Sequence, residues 1–288
     1  MNSRILSAKP LVEKLRHELT VRVNRLKSKG LTPRMGVVLV GSDPASITYI
    51  KNKRKACEFV GANFELYQWG ESIAPDEFLS NIEGLNKDPS IHGIIIQLPV
   101  PEQLKHLDLT NLVDPCKDID GFHGMNTQLL FKGCRELENL LPCTPKGIVR
   151  LLGHYGIEIA GKEVLIIGRS LIVGKPLSML LSNYDATVTI AHSKTQDLSR
   201  YTRKSDIVIC AVGQAGLLRA EHFNPEKKTT VIDVGINILN GKLVGDVSFD
   251  EVAPLVENIS PVPGGVGPMT VISLIENLVI ACEKKIKG

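Results

Sequence analysis

Apolar residues follow two spacings along the chain, and their alternation predicts the elements. Leu11, Leu15, Leu19 and Val23 recur at every fourth position, which places them on one face of a helix. Gly36 to Gly41 reads Gly-Val-Val-Leu-Val-Gly, a short β-branched run of the kind that forms a buried parallel strand. Asp43-Pro44 follows with a capping side chain and a proline at the first helical position, predicting a helix through about Val60. Further strands are predicted near 64–69 and 93–98, with a helix between them. This β-α-β order implies a parallel sheet with helical crossovers.

Between Pro99 and Pro142 the pattern becomes polar and irregular and reads as a connection. Thr144-Pro145 opens a new helix. Strands over 163–167, 187–191, 207–211 and 230–234, with a helix after Gly174, then describe a doubly wound unit. A last helix begins near Pro268 and carries Ile272, Leu274, Ile275, Leu278 and Val279. The expected fold is therefore α/β in two domains with a cleft between them: an N-terminal α/β domain over 1–120 and a doubly wound, Rossmann-type domain over 121–267. The C-terminal helix, 268–288, is expected to pack back on the N-terminal domain.

Composition narrows the classes. The 288 residues are 43% hydrophobic and 23% charged, ordinary for a soluble globular chain and incompatible with a disordered one. A net charge of +3, with no long run of Lys and Arg, gives no footprint for nucleic acid. The cluster Lys51, Arg54 and Lys55 reads as a solvated helix face, with Lys53 set apart below. The six cysteines and seven histidines are scattered, without the short paired spacings of zinc or redox sites, so no metal is expected. The N-terminus lacks an apolar signal core, and no run of about eighteen apolar residues offers a membrane span. A cytoplasmic protein with reduced thiols is expected.

One segment suggests a nucleotide. The strand 163–167 runs into Gly168-Arg169-Ser170-Leu171-Ile172-Val173-Gly174-Lys175-Pro176. A strand, a glycine turn and a helix let backbone N–H groups and a helix N-terminus hold a pyrophosphate. The spacing departs from the standard dinucleotide fingerprint: Ser170 replaces the second glycine, and the last glycine comes one residue late. A tight structural turn is the alternative. The next strand ends in Ala191-His192-Ser193-Lys194, with no carboxylate for the ribose hydroxyls of NAD. Ser193 and Lys194, with Arg169 in reach, suit the 2′-phosphate of NADP. The competing reading is a helix cap at Ser193 beside an exposed lysine.

Several motifs then occur in order: Tyr49-Ile50-Lys51-Asn52-Lys53, Ile96-Gln97-Leu98-Pro99, Lys117-Asp118-Ile119-Asp120-Gly121-Phe122, Pro142-Cys143-Thr144-Pro145, the Gly168 turn, and Pro261-Val262-Pro263-Gly264-Gly265-Val266-Gly267-Pro268-Met269-Thr270. Together they closely resemble the bifunctional methylenetetrahydrofolate dehydrogenase/cyclohydrolases, in their short form without a synthetase segment, over nearly the whole chain. The last motif is the most specific. The resemblance implies an NADP-dependent oxidation of 5,10-methylenetetrahydrofolate followed by hydrolysis to 10-formyltetrahydrofolate, with residues 1–120 as the catalytic, folate-binding domain and 121–267 as the NADP domain. It also implies a homodimer.

It assigns catalysis to Lys53, Tyr49, Gln97 and Asp120. The substrate falls to Tyr49, Gln97, Leu98, Asp120, Pro263, Gly264 and Gly265, and the cofactor to Gly168, Arg169, Ser170, Gly174, Ser193, Lys194 and Ile236. These residue types fit the chemistry. Tyr49 and Lys53 are four apart and share a helix face; a surface tyrosine over a surface lysine is the plain alternative. Hydride loss needs alignment rather than a strong base. Hydrolysis needs an activated water and a proton returned to nitrogen, which a lysine amine held by Gln97 can provide. A carboxylate at Asp120 suits the adjacent N–H donors of a pterin edge. The Asp118-x-Asp120-Gly pattern lacks the other ligands of a calcium loop. Asn126-Thr127-Gln128 departs from the family's usual Asn-x-Gly, which leaves the path of that loop open. Leu98-Pro99 is expected to be cis. Two other readings stand at this point: a shikimate dehydrogenase-like NADP oxidoreductase and a non-catalytic folate- or nucleotide-binding protein.

Overall fold

The protein's structure is a computed structural model describing residues 3–287. In chain order the first elements are β1 (Arg4–Ile5), α1 (Lys9–Lys27), β2 (Arg34–Val40), α2 (Pro44–Phe59), β3 (Asn63–Trp69), α3 (Pro75–Lys87), β4 (Gly93–Ile96) and α4 (Gly124–Phe131). They are followed by α5 (Cys143–His154), β5 (Glu163–Ile167), α6 (Gly174–Asn183), β6 (Thr187–Ala191), α7 (Leu198–Thr202), β7 (Ile207–Cys210) and β8 (Thr230–Asp233). The chain closes with β9 (Asn237–Leu239), β10 (Lys242–Val244), α8 (Phe249–Val252), β11 (Asn258–Ile259) and α9 (Val266–Lys287). It forms two compact units, each discontinuous in sequence.

One unit comprises Glu13–Leu129, Glu136–Cys143 and the chain from Val271 onward. Its sheet is parallel, in the order β3-β2-β4. The central strand is buried from Met35 to Val40, which explains why its sequence is apolar without alternation. Val38 and Val40 pack with Phe78, Ile82, Ile94 and Leu104, and Trp69 meets Phe78 edge-on at 5.6 Å. The α2 N-terminus is capped by the Asp43 carboxylate, which accepts from the Ser46 N–H at 2.7 Å. From α9, Leu274, Ile275, Leu278 and Val279 are buried. Gly93 lets this helix approach β4, since a Cβ there would lie 2.5 Å from Ile119 and 3.0 Å from Leu278.

The other unit comprises the chain up to Val12, Leu130–Arg135 and Thr144–Thr270. It holds a six-stranded parallel sheet in the order β1-β11-β8-β7-β5-β6. Strand β5 lies between β6 and β7, so the winding reverses beside it. That reversal is the topological switch point at which doubly wound sheets bind ligands.

The units do not follow boundaries at 120 and 267. Residues near the N-terminus join the six-stranded sheet because β1 pairs with β11, Arg4 opposite Asn258. Leu130–Arg135 joins the same unit through Asn183, whose Nδ2 donates to the Leu130 and Cys134 carbonyls. The region 99–142 also contains more than a connection, since α4 and single 3₁₀ turns at Glu102–Leu104 and Leu109–Asn111 occur in it. The buried positions of α4 are Asn126 and Leu130, and a stripe with a polar member escapes an apolar-periodicity reading. Helix α9 is long and apolar enough to cross a bilayer by length and composition, yet 72% of its window is buried within the protein. It is a core helix.

Candidate active site

Lys53 and Gln97 meet in the unit of β2, β3 and β4. Lys53 projects from α2, one turn after Tyr49. Gln97 follows the end of β4 and continues its ladder, its N–H donating to the Val38 carbonyl at 2.9 Å. Lys53 Nζ donates to Gln97 Oε1 at 3.0 Å. The other end of that amide is fixed as well: Gln97 Nε2 donates to the Leu98 carbonyl at 2.7 Å. With its N–H₂ committed there, the amide turns its oxygen toward the lysine, the acceptor an ammonium requires. The Leu98-Pro99 bond is cis, as expected, and Leu98 is exposed. Tyr49 is 38% exposed, and partial burial raises the pKa of its phenol.

Asp120 is tied to Lys53 electrostatically. Burial pushes its carboxyl pKa up, the Lys53 charge pulls it down, and Asp118 raises it again. Asp118 has a different task. Its Oδ1 accepts from the Gly121 N–H at 3.0 Å, and its Oδ2 accepts from the His123 N–H at 2.7 Å and Asn126 Nδ2 at 2.9 Å. One carboxylate of the Asp-x-Asp pair therefore builds the loop, and the other is presented by it. Asn126 also donates to the Pro115 carbonyl, which defines the loop path that the motif's departure left open.

Gly121 adopts φ +77°, and a Cβ there would collide with the Leu141 carbonyl. Asn277, buried in α9, donates to the Ile119 and Leu141 carbonyls at 2.8 and 2.9 Å. Sequence reasoning missed the positioning parts of Asp118 and Asn277. For Asn277 the signal was an amide in the middle of an apolar helix.

The nucleotide turn belongs to the other unit. Gly168 has φ +122°, and a Cβ there would strike the Ala211 carbonyl oxygen. A Cβ on Gly174 would strike the Gly168 carbonyl oxygen. Both glycines are therefore required by close backbone approach. Ser170, in place of the usual second glycine, accepts from the Val173 and Gly174 N–H groups at 3.1 and 3.3 Å through its hydroxyl. It thereby shapes the entry to α6. Arg169 is exposed beside it.

After β6, a turn closes from the Thr195 N–H to the His192 carbonyl at 2.8 Å, leaving Ser193 and Lys194 exposed. Ser193 caps no helix, because α7 begins after Asp197. Ile236 is exposed just beyond β8.

The Pro261–Thr270 segment carries a second cis bond, Val262-Pro263. Gly264 has φ +106°, and its carbonyl accepts from the Ala8 N–H at 2.8 Å. A Cβ on buried Gly265 would lie 2.6 Å from the Pro261 carbonyl oxygen. Pro263, Gly264 and Gly265 thus belong to the nucleotide unit, whereas Tyr49, Lys53, Gln97, Leu98 and Asp120 belong to the other.

Comparison with known proteins places the Lys53 and Gly168 regions in separate family domains, although the second family model also takes in α9, which from Val271 onward belongs here to the unit of Lys53. Residues 6–120 match the family model for the tetrahydrofolate dehydrogenase/cyclohydrolase catalytic domain, and residues 142–286 match that for its NAD(P)-binding domain. The bifunctional protein FolD of Halalkalibacterium halodurans is 44% identical over 284 residues, covering 99% of this chain and 100% of the relative. The crystal structure of the bifunctional FolD methylenetetrahydrofolate dehydrogenase/cyclohydrolase from Campylobacter jejuni superposes with a TM-score of 0.94 at 44% identity, over 98% of this chain and 99% of that one. The Trypanosoma brucei methylenetetrahydrofolate dehydrogenase-cyclohydrolase, complexed with NADP cofactor and inhibitor, gives a TM-score of 0.92 at 33% identity over all of both chains. On the match of both domain models and of full-length relatives, this chain belongs to the tetrahydrofolate dehydrogenase/cyclohydrolase family.

Proposed function

We propose that the chain is a bifunctional enzyme that oxidises 5,10-methylenetetrahydrofolate with NADP and hydrolyses the resulting 5,10-methenyl cation to 10-formyltetrahydrofolate. The observation that carries this reading is the Lys53–Gln97 hydrogen bond at 3.0 Å within electrostatic reach of the Asp120 carboxyl. Family membership removes the shikimate dehydrogenase-like alternative, and the constellation of amine, amide and carboxyl disfavours a bare binding protein.

The Asp120 carboxylate accepts the paired N–H donors of the pterin edge, and Tyr49 packs beside the ring. In hydrolysis a water adds to the carbon between the two folate nitrogens. Lys53 Nζ, acting as the uncharged amine, takes one proton from that water and returns it to N5 as the carbon–N5 bond breaks, while the carbinol O–H gives its proton to solvent as the formyl C=O forms on N10. Gln97 Oε1 holds Nζ in place through the cycle.

The residues of the nucleotide turn fit NADP. Gly168 and Gly174 leave bare backbone where any Cβ would collide, and exposed Arg169, Ser193 and Lys194 supply hydroxyl and cationic partners without a carboxylate. When bound, NADP supplies the hydride acceptor. Ile236 flanks the same site in this reading, and Leu98 contacts folate.

We also read the chain as a cytoplasmic homodimer. Ile238 is 76% exposed, and Leu239 and Leu243 are exposed near it on the β9–β10 ribbon, an apolar surface of the kind a second copy covers. Light scattering reporting a monomer at working concentration would remove that part. The function itself is tested by mixing the protein with NADP and methylenetetrahydrofolate. Appearance of both NADPH and 10-formyltetrahydrofolate supports the reading, and absence of either product contradicts it.

A further inference from the structure

Doubly wound sheets hold their ligands beyond the carboxyl ends of the strands at the switch point, here between β5 and β7. One side of that point is the Gly168 turn. The other is the loop after β7, Val212-Gly213-Gln214, and all three of its consecutive N–H groups point at a single buried carboxylate. Asp246 Oδ2 accepts from Val212 and Gly213 at 2.8 and 3.0 Å, and Oδ1 accepts from Gln214 at 2.8 Å. Oδ1 also accepts from Asn237 Nδ2 at 3.0 Å, which draws in the segment following β8. The side chain is 0% exposed.

A second aspartate holds the first. Asp233, the last residue of β8, accepts from the N–H groups of Gly235, Asp246 and Val247 at 2.9–3.0 Å. The arrangement is reciprocal. A Cβ on Gly235 would collide with the Asp246 carboxyl, and one on Gly245 with the Asp233 carboxyl. The segments Asp233-Val234-Gly235 and Gly245-Asp246-Val247, the same three residue types in a different order, thus interlock, each glycine making room for the other segment's aspartate.

We infer that Asp246 is a positioning residue for the NADP site, an inference that rests on the NADP-dependent activity proposed above. Three adjacent N–H groups form a nest that attracts an anion. Asp246 fills it from inside, so the 212–214 loop offers no free nest to a phosphate. The pyrophosphate is left to the Gly168 turn, and the loop is fixed as a wall for the uncharged part of the cofactor. Replacing the carboxylate with an amide turns an N–H₂ toward N–H donors, and the loop loses its anchor.

The test compares Asp246→Asn with wild type in two assays: NADP-dependent dehydrogenation, and hydrolysis of methenyltetrahydrofolate supplied directly, which needs no cofactor. Dehydrogenation by wild-type protein is measured first, and its absence would count against the proposed function rather than against Asp246. We expect the KM for NADP to rise at least tenfold, as for loss of charge-assisted hydrogen bonds, while hydrolysis stays within about twofold of wild type. An unchanged KM for NADP overturns the inference, whether both activities persist or fall together through general destabilisation. If Asp246→Asn does not fold, Asn237→Ala, which removes one of the four bonds, decides the matter. A severalfold rise in the KM for NADP supports the inference, and a wild-type KM overturns it.

Discussion

Gln97 holds Lys53 through one amide oxygen, and the same amide is locked from its other end by the Leu98 carbonyl, at 3.0 and 2.7 Å respectively. The lysine is aimed by a side chain that cannot turn without breaking a second bond. Gln97→Ala should therefore lower the rate of methenyltetrahydrofolate hydrolysis by about ten- to a hundredfold, the value of a hydrogen bond to a charged group. A rate within twofold of wild type would show that Lys53 is aimed by something else.

Asp120→Ala should weaken folate binding in both reactions and leave NADP binding nearly unchanged. Losing a carboxylate that accepts paired hydrogen bonds costs roughly 2–4 kcal/mol, partly because the pterin donors are left unpaired. Titration of the variant with tetrahydrofolate, followed by fluorescence or calorimetry, checks this. An unaltered dissociation constant places the anchor elsewhere.

How much of this was legible in the sequence depended on whether a signal was local. Strands β5 and β6 fall on the predicted residues, 163–167 and 187–191, because continuous runs bounded by glycines and turns leave little choice. Strands β1 and β11 have two residues each and no period to detect; their pairing depends on residues some 250 positions apart. Lys53, Gln97 and Asp120 stood out through motifs, and the structure joins the first two directly. What the sequence did not reveal was which of two neighbouring aspartates serves the loop. Asp118 and Asp120 look alike on paper, and the backbone N–H groups converging on Asp118 distinguish them. Helix α4 was hidden for a related reason, since its buried side includes Asn126, whose purpose is a hydrogen bond to Asp118.

Cofactor choice follows from the absence of a carboxylate at the end of β6. NADP should be preferred to NAD by at least tenfold in kcat/KM, about 1.4 kcal/mol. Arg169→Ala should raise the KM for NADP more than it lowers kcat. Equal turnover of NAD and NADP at matched concentrations would contradict the assignment of Arg169, Ser193 and Lys194 to the 2′-phosphate.

Stability should fall in mild acid because of His92. Burial and the charges of Lys285, Lys117 and Arg34 push its pKa down to about 4, against a smaller opposing pull from Asp88. Its Nδ1 accepts from the Arg34 N–H at 3.2 Å, a bond that requires the unprotonated nitrogen. Between about pH 6.5 and about pH 4 the unfolded chain binds a proton at this residue and the folded protein does not. The contribution is thus fully present above that window and is lost as the pH falls through it. Unfolding free energies from urea titrations of wild type and His92→Gln at about pH 7.5 and about pH 5 should diverge by on the order of 2 kcal/mol, with wild type losing more. Parallel losses would assign the acid sensitivity to other groups.

Replacing Lys53 with Met keeps the bulk of the side chain and removes the amine to which we assign the proton transfers of the hydrolytic step. Hydride transfer needs alignment and no base at that position, so the two activities should separate. The decisive measurement runs Lys53→Met in both assays with NADP saturating. The expected result is a fall in cyclohydrolase activity of at least a hundred- to ten-thousandfold, the usual worth of general acid–base help, with dehydrogenase activity reduced but retained. Hydrolysis of methenyltetrahydrofolate at the wild-type rate would contradict the role given to Lys53, as would loss of both activities in a variant that still binds folate.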